Sequence, residues 1–285
     1  MKELEIFRRL MKIYGGLGDE HRETAYYKLI KKLERGEIEG VSKKSKEKIE
    51  EIRMTGGLKL LDKLERDPKI QARLKLKEIL GFGPVKAKNL VDKGIMTRDD
   101  IIRSGIKLSE LQKFGLQFHH LFQNSVTEEV SDKIICILES GDNQVFLAGS
   151  SRLGKKDPGD LDLIVVNQKG KIRDVISDLE REGALSDYIK MGEEEIMAAV
   201  EVDGKFYKVD IKCTTRRFLA SYLLYFGSGK YFSKWIRGIA KKKGVKLNQY
   251  GIVKNDRLKT FKEEKEIFDY LDINYIPPEE RGEVF

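Results

Sequence analysis

The spacing of apolar positions changes along this chain. Over the first 80 residues they return every three or four positions. Leu4, Phe7, Leu10 and Tyr14 form one such stripe, and Gly15-Gly16 is expected to stop it. Thr24–Leu33 reads as a second helix ending at Gly36, and Ser45–Met54 as a third closed by Gly56-Gly57. Leu58–Leu64 begins a fourth. From about residue 126 the pattern becomes mixed. Lys133–Ser140 and Arg173–Glu182 keep helical spacing, whereas Val145-Phe146-Leu147 and Leu161–Val166 are uniform apolar runs of strand length. Val200–Val202 and Phe206–Ile211 are rich in β-branched and aromatic residues and meet across Asp203-Gly204, a hairpin signal. Arg216–Phe226 and Lys230–Lys242 return to helix, and a small helix and a Pro-Pro turn follow Phe261. Helices first and a mixed region second predict an α+β fold.

A weak repeat lies inside the helical half. Gly40-Val41-Ser42 followed by Lys43, Lys44, Lys46 and Lys48 resembles Gly81-Phe82-Gly83-Pro84-Val85 followed by Lys86 and Lys88. Each is an apolar helix end, a tight turn and a lysine-bearing helix, which is the helix-hairpin-helix pattern. Such a turn points backbone N–H groups at a phosphate from the positive end of the next helix. The second copy is the more complete, with Pro84 at a helix start; the first has Ser42 in place of the second glycine. Charge agrees with a polyanionic partner. The chain carries a net +8, and residues 1–135 hold 29 Lys and Arg against 22 Asp and Glu, a net +7.

The candidate chemistry lies between the two apolar runs of the mixed half. Gly149-Ser150 is followed about ten residues later by Asp160-Leu161-Asp162. Residues two apart on a strand point the same way, so the two carboxylates share a face beside a glycine turn. Hard dications take such oxygen ligands together with substrate phosphates, and Gly149 and Ser150 can offer N–H groups to those phosphates. A third acid, Asp210, sits between Val209 and Ile211 in a strand-like run. An acid in that setting is either a buried functional group or an edge-strand solubility device; two acids on a neighbouring strand favour the functional reading. Three carboxylates suit metal-assisted nucleotidyl transfer.

These motifs resemble the nucleotidyltransferase superfamily and, within it, the family X DNA polymerases, the group of DNA polymerase beta. Two further stretches carry the resemblance. One is Leu224-Tyr225-Phe226-Gly227-Ser228-Gly229 with Phe232 and Arg237. The other is Lys246-Leu247-Asn248-Gln249-Tyr250-Gly251-Ile252, with Ile273–Arg281 near the end. The likeness runs from about Arg8 to Arg281. It implies a helical lyase-like DNA-binding domain over 1–78, a second helix-hairpin-helix subdomain over 79–125, a catalytic palm over 126–220 and a small α/β subdomain that binds the nascent base pair over 221–285.

The resemblance also implies roles. Asp160 and Asp162 would hold two Mg²⁺ or Mn²⁺ ions, with Asp210 on the catalytic ion. Gly149, Ser150 and Arg152 would take the β and γ phosphates, and Gly159 would leave room before the acids. Tyr225, Phe226, Ser228, Gly229, Ser233 and Arg237 would line the nucleotide site. Gly40, Ser42, Lys44, Gly81, Gly83, Val85, Lys86, Lys208 and Tyr250 would face DNA. Backbone carbonyls of Lys77, Ile79 and Phe82 would hold Na⁺ or K⁺ at the hairpin turn. Lys48 would be the Schiff-base nucleophile of a 5′-deoxyribose-phosphate lyase, with His21 and Tyr26 as helpers and Lys44 one turn before it. Three departures stand out. Leu153 replaces a second arginine, Gly227-Ser228-Gly229 replaces Thr-Gly-Ser, and Ser233 replaces an asparagine. Lys208 stands where the family has an arginine restraining Asp210.

The expected activity is therefore short-gap filling in base-excision-type repair by a monomer acting on gapped or nicked duplex DNA and deoxynucleoside triphosphates, with lyase activity beside it. A template-independent terminal transferase and a non-catalytic helix-hairpin-helix module are the alternatives. The first would call for an inserted loop before the site strands; retention of three aspartates argues against the second. Cys136 and Cys213 are far apart and, like His21, His119 and His120, lie in no zinc spacing, so free thiols are expected. No apolar run approaches about 18 residues and the first residues make no signal peptide, so the expectation is a soluble, intracellular protein, with nucleus, cytoplasm and a viral replication compartment all left open. Neither a BRCT-like segment before residue 1 nor a phosphoesterase domain after Phe285 is expected.

Overall fold

A computed structural model of the chain describes residues 2–37, 40–139 and 143–282. The fold is α+β, in two compact units, Met1–His119 and His120–Phe285.

The described part of the first unit is wholly helical: α1 (Lys2–Leu17), α2 (Glu20–Glu34), α3 (Lys43–Thr55), α4 (Lys59–Arg66), α5 (Pro68–Glu78), α6 (Pro84–Asp92), α7 (Arg98–Arg103) and α8 (Glu110–Phe118). Phe7, Leu10, Ile30, Ile52 and Leu58 anchor one core, and Leu76, Phe82, Ala87 and Ile101 a second. Two helix limits differ from expectation. α1 runs through Gly15-Gly16 because the glycines serve packing: a β-carbon on Gly16 would collide with Leu74 of α5. The stop falls at Gly18, whose φ of +79° suits a residue without a side chain. α2 begins at Glu20, not Thr24, because Asp19 accepts the Arg22 N–H at 3.0 Å and caps the helix there.

The second unit opens with α9 (Glu128–Leu138), where helix was expected over Lys133–Ser140; Ser140 lies outside the described residues. There follow β1 (Gln144–Leu147), the short α10 (Gly149–Arg152), β2 (Leu161–Val166), α11 (Arg173–Arg181), β3 (Leu185–Lys190), β4 (Glu195–Val202) and β5 (Lys205–Thr214). They form a five-stranded sheet of order β1-β2-β5-β4-β3, in which only β2 and β5 run parallel. β2 is covered on both faces from Leu163 onward, which is why it reads as one apolar run, whereas β5 alternates buried and part-buried residues. Leu161, Leu163 and Val165 pack with α9 and α11, and Ile164 and Val166 pack with Leu219 and Tyr222.

The hairpin across Asp203-Gly204 is present but longer than expected, from Glu195 to Thr214. β3 escapes a periodicity reading because Leu185-Ser186-Asp187-Tyr188 neither alternates cleanly nor buries fully. A 3₁₀ turn, Arg216–Phe218, precedes α12 (Leu219–Phe226), then come α13 (Lys230–Lys242), β6 (Lys246–Asn248), β7 (Gly251–Lys254), β8 (Arg257–Lys259) and α14 (Glu264–Tyr270). β6-β7-β8 form a small antiparallel sheet over a core of Phe232, Ile236, Ile252 and Phe268. Among the described residues no helix is long and apolar enough to cross a membrane.

Candidate active site

The parallel pairing of β2 with β5 sets Asp162 directly beside Asp210. Leu161, Leu163, Val209 and Ile211 are almost fully buried on one face, so alternation turns both acids to the other. Asp160 stands just before β2. Burial, then the charges of Asp160 and Asp210, push the Asp162 carboxyl up to about 6.

Gly149 makes this packing possible. Its φ is +49°, and a β-carbon there would collide with the Asp162 carboxylate. The Ala148 N–H donates to the Asp162 carbonyl at 2.9 Å, which ties the Gly-Ser turn to the strand. An added β-carbon on Gly159 meets no protein atom within 4 Å.

Two lysines answer the three acids. Lys208 Nζ lies 2.7 Å from Asp160 Oδ2, and Lys212 Nζ donates to Asp210 Oδ1 at 2.6 Å. Lys212 also lies 2.9 Å from Glu195 Oε1 and 4.9 Å from the Phe226 ring centre. Burial alone lowers its pKa, but Asp210 and Glu195 outweigh that and hold it above the ordinary value. The register sets Val209 level with Leu161 and therefore carries Lys208 to Asp160 rather than to Asp210. Lys212 was missed, though it lies two residues after Asp210 and so shares its strand face.

Among the described residues no three acidic, His or Cys side chains converge on one ligating point. The outer acids are each paired with an ammonium group. The donor set still suits a hard dication: three carboxylates close together, one of them raised by burial and by its neighbours, beside an opened turn. Asp160, Asp162 and Asp210 are the residues that would hold it.

Several expected nucleotide contacts are engaged elsewhere. Arg152 pairs with the buried Glu264 of α14 and donates to the Leu223 carbonyl at 3.0 Å. Glu264 is shared with Arg281, fully buried, whose Nη1 lies 2.6 Å away. The Arg281 guanidinium lies 5.1–5.3 Å from the ring centres of Phe232, Phe268 and Tyr275. Gly227 and Gly229 are packing glycines for this network. β-Carbons there would meet Arg152 and the Leu223 carbonyl, or the Arg281 and Gly282 carbonyls. No sequence pattern marks Glu264; only the tertiary fold brings it between two arginines.

Tyr225 and Phe226 are half-buried at the end of α12. Arg237 lies over the Tyr225 ring at 5.5 Å and donates to its hydroxyl at 3.4 Å. Ser233 Oγ donates to the Ser228 carbonyl at 3.4 Å. The Tyr250 hydroxyl, expected at DNA, donates instead to Glu194 Oε2 at 2.9 Å, which also accepts from Tyr222 at 3.0 Å.

In the helical unit Lys48 donates to the Tyr26 hydroxyl at 2.8 Å. Ser42 caps α3, and Lys44 and His21 are exposed. Gly40 and Gly81 have φ near +75° and +82°. The Gly81 turn is clipped by Gln112 Nε2, which donates to its carbonyl at 3.1 Å. Gly83 caps α6 without a side chain, Val85 is 74% exposed on its first turn, and Lys86 follows it. Ile79, whose carbonyl was expected on a monovalent cation with those of Lys77 and Phe82, accepts the Phe82 N–H at 3.1 Å. Cys136 is exposed and Cys213 buried, both as free thiols.

Comparisons with known proteins agree with this geometry. The family model "DNA polymerase beta thumb" matches residues 222–282, and "Fingers domain of DNA polymerase lambda" matches residues 75–123. A DNA polymerase lambda of Arabidopsis thaliana is 25% identical over 324 residues, 98% of this chain and 61% of that protein. A DNA polymerase lambda of Rattus norvegicus is 25% identical over 314 residues, 95% of this chain and 54% of its own. A DNA-directed DNA/RNA polymerase mu of Homo sapiens is 24% identical over 282 residues, 82% and 57% respectively. The chain thus spans between 54% and 61% of the length of these curated relatives.

Proposed function

Since the chain is a relative of the family X DNA polymerases, we propose that it is a templated DNA polymerase that fills short gaps in duplex DNA. The observation that carries this reading is the Asp162–Asp210 pairing across two parallel strands, with Asp160 beside it. Two divalent cations supply charge neutralisation of the triphosphate and activation of the primer 3′-hydroxyl when bound. Asp160 and Asp162 would hold both, and Asp210 would hold one. Lys212 has a second acceptor in Glu195, so Asp210 can release its oxygen without leaving the ammonium unpaired. Tyr225 and Phe226 form the floor under sugar and base. The hairpin turns at Gly40–Ser42 and Gly81–Val85 bind phosphates on either side of the gap, and a Na⁺ or K⁺ ion at the second turn serves the same purpose. The working species is a monomer, divided functionally at residues 78, 125 and 220.

The test is primer extension on a one-nucleotide gapped duplex with a 5′ phosphate. Wild type should add the templated nucleotide only with Mg²⁺ or Mn²⁺, and Asp210→Ala should abolish addition. Faster extension of a single-stranded primer would favour the terminal transferase.

The contact of Lys48 with Tyr26, at the foot of the first hairpin turn, favours a lyase beside the polymerase. The Lys48 amine would attack the C1′ aldehyde of a 5′-deoxyribose phosphate and lose water to give an imine. Borohydride trapping should capture wild type and fail with Lys48→Ala; undiminished capture by Lys48→Ala would move the role to another lysine, Lys44 first.

A further inference from the structure

Charge in the carboxy-terminal subdomain is sorted along the chain. Residues 230–262 hold eleven Lys and Arg against one acid, Asp256, while residues 263–282 hold seven acids against two bases. The net charge of the whole second half conceals this. One exposed part of the basic stretch is the β7–β8 hairpin. Lys254 stands directly opposite Arg257, and Lys259 opposite Ile252, so the three cations share one face of the sheet. None of the three forms an ion pair among the described residues. Asn255 and Asp256, both with positive φ, close the hairpin in a tight turn and fix the cations in place.

Like charges set opposite one another weaken a β-ladder. A face serving solubility alone intersperses the two signs. Glu263, Glu266 and Asp269 are near in sequence, yet they do not neutralise the hairpin. The arrangement is therefore costly in the free protein and is relieved by a polyanion. Arg257 and Lys259 are two residues apart on one strand, about 6.8 Å, which is close to the separation of successive phosphates on a nucleic-acid strand. Beside them is an open cleft of about 510 Å³ bordered by Leu258 and Tyr270. Lys259 lies 5.4 Å from the Tyr270 ring centre and 5.7 Å from that of Phe261. Cations interleaved with apolar and aromatic side chains suit an unpaired strand, whose bases need a surface to lie on.

We propose that the β7–β8 hairpin, through Lys254, Arg257 and Lys259, binds the backbone of a single-stranded stretch of the template. The inference rests on the polymerase reading and extends it to a surface outside the catalytic cleft. It is tested by DNA affinity as a function of salt, on a gapped duplex whose template strand continues as single strand and on the same duplex with blunt ends. Three phosphate contacts on a single strand contribute about 2 to the slope of log affinity against log salt. The triple variant Lys254→Gln, Arg257→Gln, Lys259→Gln should lose about that much on the extended substrate and keep the wild-type slope on the blunt one. The double variant Lys254→Arg, Lys259→Arg should keep the wild-type slope on both, and its thermal melt serves as the folding control. An unchanged slope in the triple variant overturns the site; an equal loss on both substrates overturns the single-strand assignment. Failure of the polymerase reading is separate, because it shows as no templated extension by wild type on either substrate.

Discussion

In the helical unit cations meet acids at the surface: Arg9 lies 2.6 Å from Glu65, Arg8 2.7 Å from Glu34 and Arg53 2.9 Å from Glu3, all between different helices. In the second unit like charges are gathered. Three aspartates share one strand-pair face, and a run of lysines and arginines occupies one small sheet with its acids displaced to the tail. The helical unit carries most of the net charge, yet its charges are largely balanced locally. The second unit is nearly neutral by count and locally far from it. Arrangement, more than net charge, separates a surface that holds helices together from one that awaits a ligand.

The largest effect expected from this contrast concerns ion pairs. Glu264 is buried between Arg152 and Arg281, so Glu264→Ala takes the carboxylate from the buried Arg281 and the part-buried Arg152 and should cost about 3–5 kcal/mol. Glu65→Ala breaks a half-exposed pair and should cost about 0–1 kcal/mol. Urea unfolding measures both, and similar losses would erase the contrast.

A smaller effect, of opposite sign, is expected at the acid cluster. Asp162 is raised to about 6 when folded, above its unfolded value, so its ionised form opposes folding. The penalty is small at about pH 4, grows between about pH 4 and 6, and is complete above about 6. In a chelator, Asp162→Asn should therefore stabilise the protein by about 1–2 kcal/mol near pH 7.5 and by almost nothing near pH 4. A destabilised Asn variant near pH 7.5 would show that the carboxylate is already balanced by its lysines.

The smallest expected effect is on base selection. Among the described residues the Ser233 hydroxyl reaches the Ser228 carbonyl. An asparagine there gains the length to meet the minor-groove edge of the incoming base, and one such hydrogen bond is worth about 0.5–1.5 kcal/mol. Ser233→Asn should raise correct-over-incorrect insertion by up to about tenfold in steady-state kinetics; no change would place Ser233 away from the base.

The acid cluster was legible in the sequence because strand periodicity is short-ranged: Asp160, Asp162 and Asp210 each sit among apolar residues whose burial fixes where the acids point. The hairpin turns were legible through Gly81, Gly83 and Pro84. The partners of the charged groups were not. Strand register, which sequence distance does not show, gives Lys208 to Asp160 and Lys212 to Asp210. The partner of Arg152, Glu264, lies over a hundred residues away in sequence. β3 and the three-residue strands of the small sheet are too short or too irregular for periodicity to show.

The claim that these three aspartates form a two-metal site is tested most directly by counting bound Mn²⁺ by electron paramagnetic resonance. The sample is the full chain with gapped DNA bearing a dideoxy-terminated primer and the matching nucleotide, so that binding is read without turnover. Two ions per wild-type complex and one per Asp210→Asn complex are expected. Equal stoichiometry in the two proteins would contradict the assignment of Asp210 and, with it, the reading of the β2–β5 face as the catalytic centre.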